Sequence, residues 1–316
     1  MAFQKVKEFT GFYYEKDGNM ARITLNRPER LNILDISSGG MTEQLLRDGL
    51  DEACKDDEIK VLIFRGAGSA FCAGADMRQL GFHFGLGTGQ AGERRPSERA
   101  RLNGDREIMM QFMNVLTLPK ITVASIHGYA LEGGFYLAMF SDYTIAAENT
   151  ILGMPAQRVG FAGCSSPMVW FLMQSLGYKK ARELIVTGKR IDAEEAHHLG
   201  LVAKVVPEDK LEEETLKVAK AFCQYPADGI AIGKHTNNIY LELLGITQGF
   251  NIGTYSHSLF TNLRFEPGEF NFFRSRRNEG MTATLHDRDT LFEEAFESPE
   301  VVQLVKQRRG HKAKKE

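Results

Sequence analysis

Cysteine is scarce in this chain: there are four in 316 residues, Cys54, Cys72, Cys164 and Cys223, with no C-x-x-C pair. Such spacing excludes a disulfide framework or a zinc ribbon and points to a reducing compartment. Long hydrophobic runs are also missing. No stretch approaches the roughly 20 apolar residues of a membrane span, and Met1-Ala-Phe-Gln-Lys-Val-Lys-Glu8 lacks the apolar centre of a signal peptide. Charge of either sign is not in excess. With 39 Lys and Arg against 41 Asp and Glu, a net charge of −2 gives no electrostatic reason to expect nucleic acid or membrane as a partner. Neither a Walker loop nor a G-x-G-x-x-G after a strand is present, so ATP and a nicotinamide cofactor are not implied. The expectation is a cytoplasmic enzyme whose length suffices for one full core.

What the chain does have is a repeated strand–turn–helix pattern. Phe12–Glu15 and Ala21–Leu25 flank Asp17-Gly18, which suits a hairpin. A helix is predicted from Ser37 or Ser38 to Cys54, with Met41, Leu45, Leu46, Leu50 and Ala53 on one face. The apolar strand Val61–Phe64 leads to the small-residue turn Phe71-Cys-Ala-Gly-Ala-Asp76. Strand Ile121–Ile126 leads in the same way to Gly128-Tyr-Ala-Leu-Glu-Gly-Gly134 and a helix near Gly133, and Tyr143–Ala147 reads as a further strand. Small residues let a ligand approach the backbone, and free N–H groups at a turn or helix N-terminus hold negative charge. Two such turns can aim two N–H donors at one carbonyl oxygen, an oxyanion hole. Repeated units of this kind fit a parallel sheet wound with helices.

These motifs, in this order and spacing, resemble the crotonase (enoyl-CoA hydratase/isomerase) superfamily. The resemblance takes in Leu25-Asn-Arg-Pro-Glu-Arg-Leu-Asn32, both turns, Val186-Thr-Gly-Lys-Arg-Ile191, Gly200-Leu-Val-Ala-Lys-Val-Val-Pro207 and Asn278-Glu-Gly-Met281. It implies an α/β fold, a crotonase-type spiral of ββα units over residues 1–225, with a C-terminal helical region at 226–316 for trimerisation and pocket closure. It also implies an acyl-CoA thioester as substrate and partner, coenzyme A as part of that substrate with no permanently bound cofactor or metal, and a homotrimer or dimer of trimers. Carried over residue by residue, the Ala75 and Gly133 N–H groups hold the thioester oxygen. Arg30 and Leu31 meet the nucleotide, and Ala73, Asp76 and Met77 line the adenine and pantetheine path.

Where hydratases of the family carry two glutamates, this chain has Tyr136 and Ala156. Hydration needs one carboxylate to activate water and one to supply the proton, so classical hydration is not expected. Isomerisation, decarboxylation, C–C hydrolysis or thioester hydrolysis use the same oxyanion chemistry. Glu132 is then a candidate base, or a cap for the helix that follows. Tyr136 is a candidate acid, or fills the vacated space. Cys164, at the position of a nucleophilic aspartate in related dehalogenases, is a substrate-contacting or nucleophilic alternative that would make the chain a hydrolase. A non-catalytic acyl-CoA-binding scaffold is a third reading. Residues 81–104, glycine-rich then charged, read as a mobile loop carrying Phe82, His83 and Phe84. His127 and His197-His198 read as structural, and Arg308–Lys315 as a frayed basic tail.

Overall fold

The computed structural model describes residues 3–35, 39–79, 97–161, 164 and 166–313. Strands β1 (Gln4–Phe9), β2 (Phe12–Asp17) and β3 (Met20–Leu25) form an antiparallel meander. Asp17 pairs with Met20, so the turn is Gly18-Asn19, with Gly18 at φ +58 in the left-handed region that such tight hairpins use. There follow β4 (Val61–Gly66), β5 (Ile121–Ile126), β6 (Tyr129–Leu131), β7 (Tyr143–Ala147), β8 (Ile151–Gly153), β9 (Arg190–Asp192) and β10 (Lys204–Val206). One sheet runs β1-β2-β3-β4-β5-β7-β10 and is parallel from β3 onward; a smaller one runs β6-β8-β9. From β5 the chain passes back and forth between the two sheets: β5 in the large one, β6 in the small, β7 in the large, β8 and β9 in the small, and β10 in the large.

Helix α1 spans 41–55, with a π-turn at Leu45–Gly49, and buries the expected face of Met41, Leu45, Leu46, Leu50 and Ala53. Ser37 and Ser38 lie outside the described residues. Then come α2 (Glu98–Thr117), α3 (Gly133–Met139), α4 (Pro167–Thr187), α5 (Ala193–His198), α6 (Leu211–Phe222), α7 (Ala227–Leu243), α8 (Ile246–Ser258), α9 (Phe272–Glu279), α10 (Met281–Phe296) and α11 (Pro299–Ala313). The main core lies between the large sheet and α1 to α4, and fully buries Phe12, Phe64, Phe71, Phe140 and Phe250. Burying one such ring contributes about 1.5–3 kcal/mol. Helices α2 and α8 are joined inside by Arg101, Asp105 and His257: Arg101 pairs with Asp105 at 2.8 Å, and His257 Nδ1 lies 3.1 Å from Arg101 and 3.2 Å from Asp105. Among the described residues no helix is long and apolar enough to cross a membrane.

Two expectations need correction. Phe82, His83 and Phe84 lie outside the described residues, but 98–104, expected as loop, are the first turns of α2. Ser97 caps that helix, its Oγ accepting from the Ala100 N–H at 3.2 Å. At the C-terminus, Arg308 is not in a frayed tail. Its guanidinium donates to the Ser69 carbonyl at 3.1 Å and the Asn149 carbonyl at 2.9 Å, and lies over the Tyr129 ring. The cause is burial: Val301 and Val305 of α11 pack on Leu131 and Ile151 of the small sheet, which pins the last helix down.

The C-terminal helices are further held by buried charge. Arg158 donates to Asp289 at 3.2 Å and to Glu297 at 2.7 Å, while Arg190 reaches Glu293 and Glu297 at 2.7 Å each. Burial would raise the Glu297 carboxyl, but Arg190 and Arg158 outweigh it and hold it below the usual range; Arg288, Arg190 and Arg158 do the same for buried Asp289.

Candidate active site

The two small-residue turns lie side by side, joined by main-chain rungs. Phe71 N–H donates to the His127 carbonyl at 2.7 Å, Cys72 N–H to Tyr129 at 2.8 Å, and Leu131 N–H back to Cys72 at 2.9 Å. The Cys72–Ala130 bridge is parallel, so the chain beyond it on either side, Ala73–Asp76 and Glu132–Gly134, runs on together. A second bridge, Leu34 with Ala75, uses both backbone groups of Leu34: its N–H reaches Gly74 at 2.7 Å and its carbonyl takes Asp76 N–H at 2.9 Å. In a parallel ladder that pattern turns the N–H of Ala75 to the opposite side.

Four N–H groups therefore sit at this junction, and two are already engaged. Gly74 N–H donates to Cys72 Sγ at 3.5 Å, and Gly134 N–H lies against the same sulfur. Burial pushes that thiol up to about 12, so it stays protonated and acts as a packed acceptor. Ala75 and Gly133 are the two without a partner among the described residues. Gly133 opens α3, where first-turn N–H groups have no acceptor within the helix and the helix dipole adds positive potential.

Glu132 stands directly before this donor at φ +49, ψ −114, a conformation that glycine tolerates and a side chain pays for with about 1–3 kcal/mol. A glycine there would adopt this backbone without strain. The half-buried Glu132 side chain abuts the first turn: a Cβ added to Gly74 would lie 2.8 Å from the Glu132 Cβ. Although it occupies the cap position of α3, its carboxylate makes no capping hydrogen bond, which removes the capping role expected of it.

Tyr136, one turn into α3, is 4% exposed and stacks among Phe112 (ring centroids 4.9 Å apart) and Phe140 (5.3 Å). Its hydroxyl lies beside Ser166 Oγ and the Met168 N–H without a well-formed hydrogen bond to either. Burial, with a small addition from the Glu132 charge, raises the phenol well above its ordinary value, so it is a proton holder and never a base near neutral pH. Ala156 falls in the short turn Pro155–Arg158 after β8, its side chain outside the described residues.

The residues assigned to the nucleotide and pantetheine come together as well. Ala73 N–H donates to the Leu31 carbonyl at 3.0 Å, and Arg30 lies 3.9 Å from Asp76. Asp76 is mostly claimed by a residue that sequence reasoning missed: Arg78 grips it with two hydrogen bonds, at 2.9 and 2.8 Å. Burial works against its charge, but the Arg78 contacts keep the carboxyl below its ordinary value. Arg276 of α9 was also missed, and donates to the Met77 carbonyl at 2.5 Å, placing α9 against this segment. No local signal marks a contact between residues 199 positions apart.

Cys164 is half-buried against the main core, and burial raises its thiol, with Arg182 offsetting part of the shift. That is the opposite of what a nucleophilic thiolate needs. Ser165 lies outside the described residues. His127 holds the Gly68 carbonyl at 2.9 Å from Nε2, and burial lowers its pKa, in keeping with a structural neutral imidazole. His197 and His198 are exposed and each bonds a backbone carbonyl of its own neighbourhood, Val202 and Glu194.

Comparison with known proteins shows the family. The family model described as enoyl-CoA hydratase/isomerase matches residues 15–277. A protein named probable enoyl-CoA hydratase, mitochondrial, from Dictyostelium discoideum is 30% identical over 287 residues, covering 89% of this chain and 90% of that one. A crystal structure of an enoyl-CoA hydratase/isomerase from Xanthobacter autotrophicus Py2 superposes with a TM-score of 0.77 at 29% identity, covering 90% of this chain and 99% of that one. One from Mycobacterium paratuberculosis gives 0.63 at 26% identity, covering 81% and 99%. With its spiral of strands, its paired turns and these matches, the chain belongs to the enoyl-CoA hydratase/isomerase family, the crotonase superfamily.

Proposed function

We propose that this chain is an acyl-CoA-processing enzyme that stabilises a thioester enolate or oxyanion at the Ala75 and Gly133 N–H groups, and that its reaction is not classical hydration. The observation that carries this reading is the pair of unpartnered donors on two turns fixed to each other by main-chain rungs. As the α-carbon gives up a proton, a carboxylate or an acyl group, the carbonyl oxygen gains charge and both donors tighten; losing one costs about 3–4 kcal/mol of transition-state stabilisation. Isomerisation, decarboxylation and C–C hydrolysis draw on this step; in thioester hydrolysis the same donors hold the tetrahedral oxyanion formed when water adds to the carbonyl carbon, before the CoA thiolate leaves.

The absence of carboxylates at Tyr136 and Ala156 supports a reaction other than hydration. Glu132 directly precedes the Gly133 donor, whereas Asp76, beside Ala75, is held by Arg78; Glu132 is assigned the base role, with Tyr136 contacting the acyl group. Arg30, Leu31, Ala73, Asp76 and Met77 border the coenzyme A path, and coenzyme A enters as part of the substrate, with no permanently bound cofactor. The raised Cys164 thiol disfavours the nucleophilic reading, and a pure scaffold has no use for two aligned donors. Assembly into trimers or pairs of trimers is supported by the outer faces of α7 and α8, where Ile232, Ile239, Leu243, Ile252 and Leu259 are exposed. Four unpaired cysteines favour a reducing compartment such as the cytoplasm.

The test is mass spectrometry of a panel of crotonyl-, cyclic enoyl-, β-keto- and malonyl-type thioesters incubated with the protein. Loss of carbon dioxide, ring opening, double-bond migration or release of free CoA names the reaction. Gain of one water with no other change overturns the exclusion of hydration.

A further inference from the structure

The start of α4 brings two further donors, Ser166 Oγ and the Met168 N–H, beside the buried Tyr136 hydroxyl. Tyr136 Oη and Ser166 Oγ lie beside each other, both residues 4% exposed, and neither has a hydrogen-bond partner among the described residues. Ser166 occupies the cap position of α4, yet its hydroxyl makes no capping bond. Pro167 has no N–H, so the Met168 N–H beside the phenol is the foremost main-chain donor of that helix. The walls are close: Phe112 and Phe140 flank the phenol, and a Cβ on Gly253 of α8 would be 2.5 Å from Pro167 N and from Ser166 C. Buried polar groups without partners are rare in folded proteins, and a set of them at one corner is the mark of a ligand position.

The corner adjoins the oxyanion donors. Gly133 and Tyr136 are three residues apart on α3, so they share a face and are separated by about 4.5 Å along the axis. Phe112 bridges them: its Cζ lies 3.7 Å from where a Gly133 Cβ would be, and its ring packs on Tyr136. An acyl chain that leaves a thioester carbonyl on the Gly133 N–H along this face reaches the corner. The Met168 N–H can only donate, and both hydroxyls are free to turn their O–H toward the same point, so an oxygen acceptor satisfies all three at once.

We propose that Tyr136, Ser166 and the Met168 N–H form a subsite for a second oxygen on the acyl group, so that the chain selects β-keto or malonyl-type thioesters over unsubstituted ones. This rests on the acyl-CoA reading above. A site built to hydrogen-bond an oxygen discriminates strongly against an analogue that lacks it, because its own donors are then left unpaired. The discrimination is a matter of binding, separate from which bond the enzyme later breaks.

Calorimetric titration of the full chain with acetoacetyl-CoA, malonyl-CoA and butyryl-CoA tests it, using wild type, Tyr136→Phe and Ser166→Ala. The expected result is that wild type binds at least one oxygenated thioester about tenfold or more tightly than butyryl-CoA. Tyr136→Phe should erase most of that preference and Ser166→Ala part of it, read as the ratio of oxygenated-thioester to butyryl-CoA affinity within each variant. Thermal midpoints of both variants at or above wild type exclude misfolding, since each loses only an unpartnered hydroxyl. No preference in wild type, or equal losses for all three thioesters in the variants, overturns the subsite and leaves the acyl-CoA reading standing. Failure of wild type to bind any of the three overturns both.

Discussion

Replacing Gly134 with alanine tests whether the two turns are held at a fixed spacing. A Cβ there would lie 2.5 Å from the Cys72 carbonyl oxygen and 2.7 Å from the Cys72 Cβ. Ordinary contact needs about 3.5 Å, so the turns must separate by roughly 1 Å. Backbone, not a flexible side chain, blocks the way, and Cys72 is fully buried. The rungs at 2.8 and 2.9 Å, Cys72 to Tyr129 and Leu131 to Cys72, cannot survive that opening. Two backbone hydrogen bonds at about 1 kcal/mol each, together with about 1–3 kcal/mol for overpacking, give a loss of about 3–5 kcal/mol. Because a 1 Å misplacement of catalytic groups costs about a hundredfold in rate, turnover of the best thioester should fall by that factor in whatever protein stays folded. Urea unfolding gives the first quantity and initial rates under folding conditions the second. Gly133→Ala is the control: its Cβ meets the tip of Leu34 at 2.5 Å, which can swing aside, so about 1 kcal/mol is expected. A Gly134→Ala protein with wild-type midpoint and wild-type rate would refute the idea that main-chain rungs set the donor spacing.

The remaining predictions concern strain, charge and thiol chemistry. Glu132→Gly relieves the φ +49 backbone and should stabilise the fold by about 1 kcal/mol net of glycine's entropy; a lower thermal midpoint refutes the strain. Glu132→Gln keeps that strain, so its stability should match wild type while turnover falls if the carboxylate is the base. Glu297→Ala leaves Arg158 and Arg190 partly unpaired and should cost about 3–5 kcal/mol in urea unfolding; a loss near zero refutes the buried latch. Because the folded-state pKa values of Asp289 and Glu297 are lowered, their contribution is present above the unfolded carboxylate value, about 4, and fades as pH falls through the folded values. Unfolding midpoints below about pH 4 should therefore fall more steeply in wild type than in Glu297→Gln. Cys164 should resist iodoacetamide at neutral pH in a Cys54→Ser background, since burial raises its thiol; rapid stoichiometric labelling at Cys164 would reverse that reading.

Local patterns in the sequence were enough for β2, β3, β4, β5 and β7 of the large sheet, the α1 face and both turns, because each rests on periodicity or on small residues at a strand end; the edge strands β1 and β10 were not read. Glycine at 133 and 134 and the strand before them pointed to a helix start that the fold places at Gly133. The small sheet was less legible, since β6, β8 and β9 have three residues each, too few for a period to register. Residues 98–104 were misread because the glycine-rich composition ahead of them masked Ser97, whose cap signal was present. The contacts made by Arg78, Arg276 and Arg308 were hidden for different reasons. Arg78 bonds two positions back, where charge pairing alone gives no direction, whereas Arg276 and Arg308 reach across the folded chain. Ser166 is a case of its own: a serine before a proline reads as a helix cap, and only the folded environment leaves its hydroxyl idle.

The rungs between Cys72 and residues 129–131 also bear on how such a scaffold changes its chemistry over time. On the proposed function, the thioester grip is made by main chain, while positions 132, 136 and 156 act through side chains. The first can stay constant through many exchanges of the second. A chain with Tyr136 and Ala156 in place of carboxylates can thus keep thioester activation intact, and each single exchange leaves a working binder on which other acid–base groups are tried.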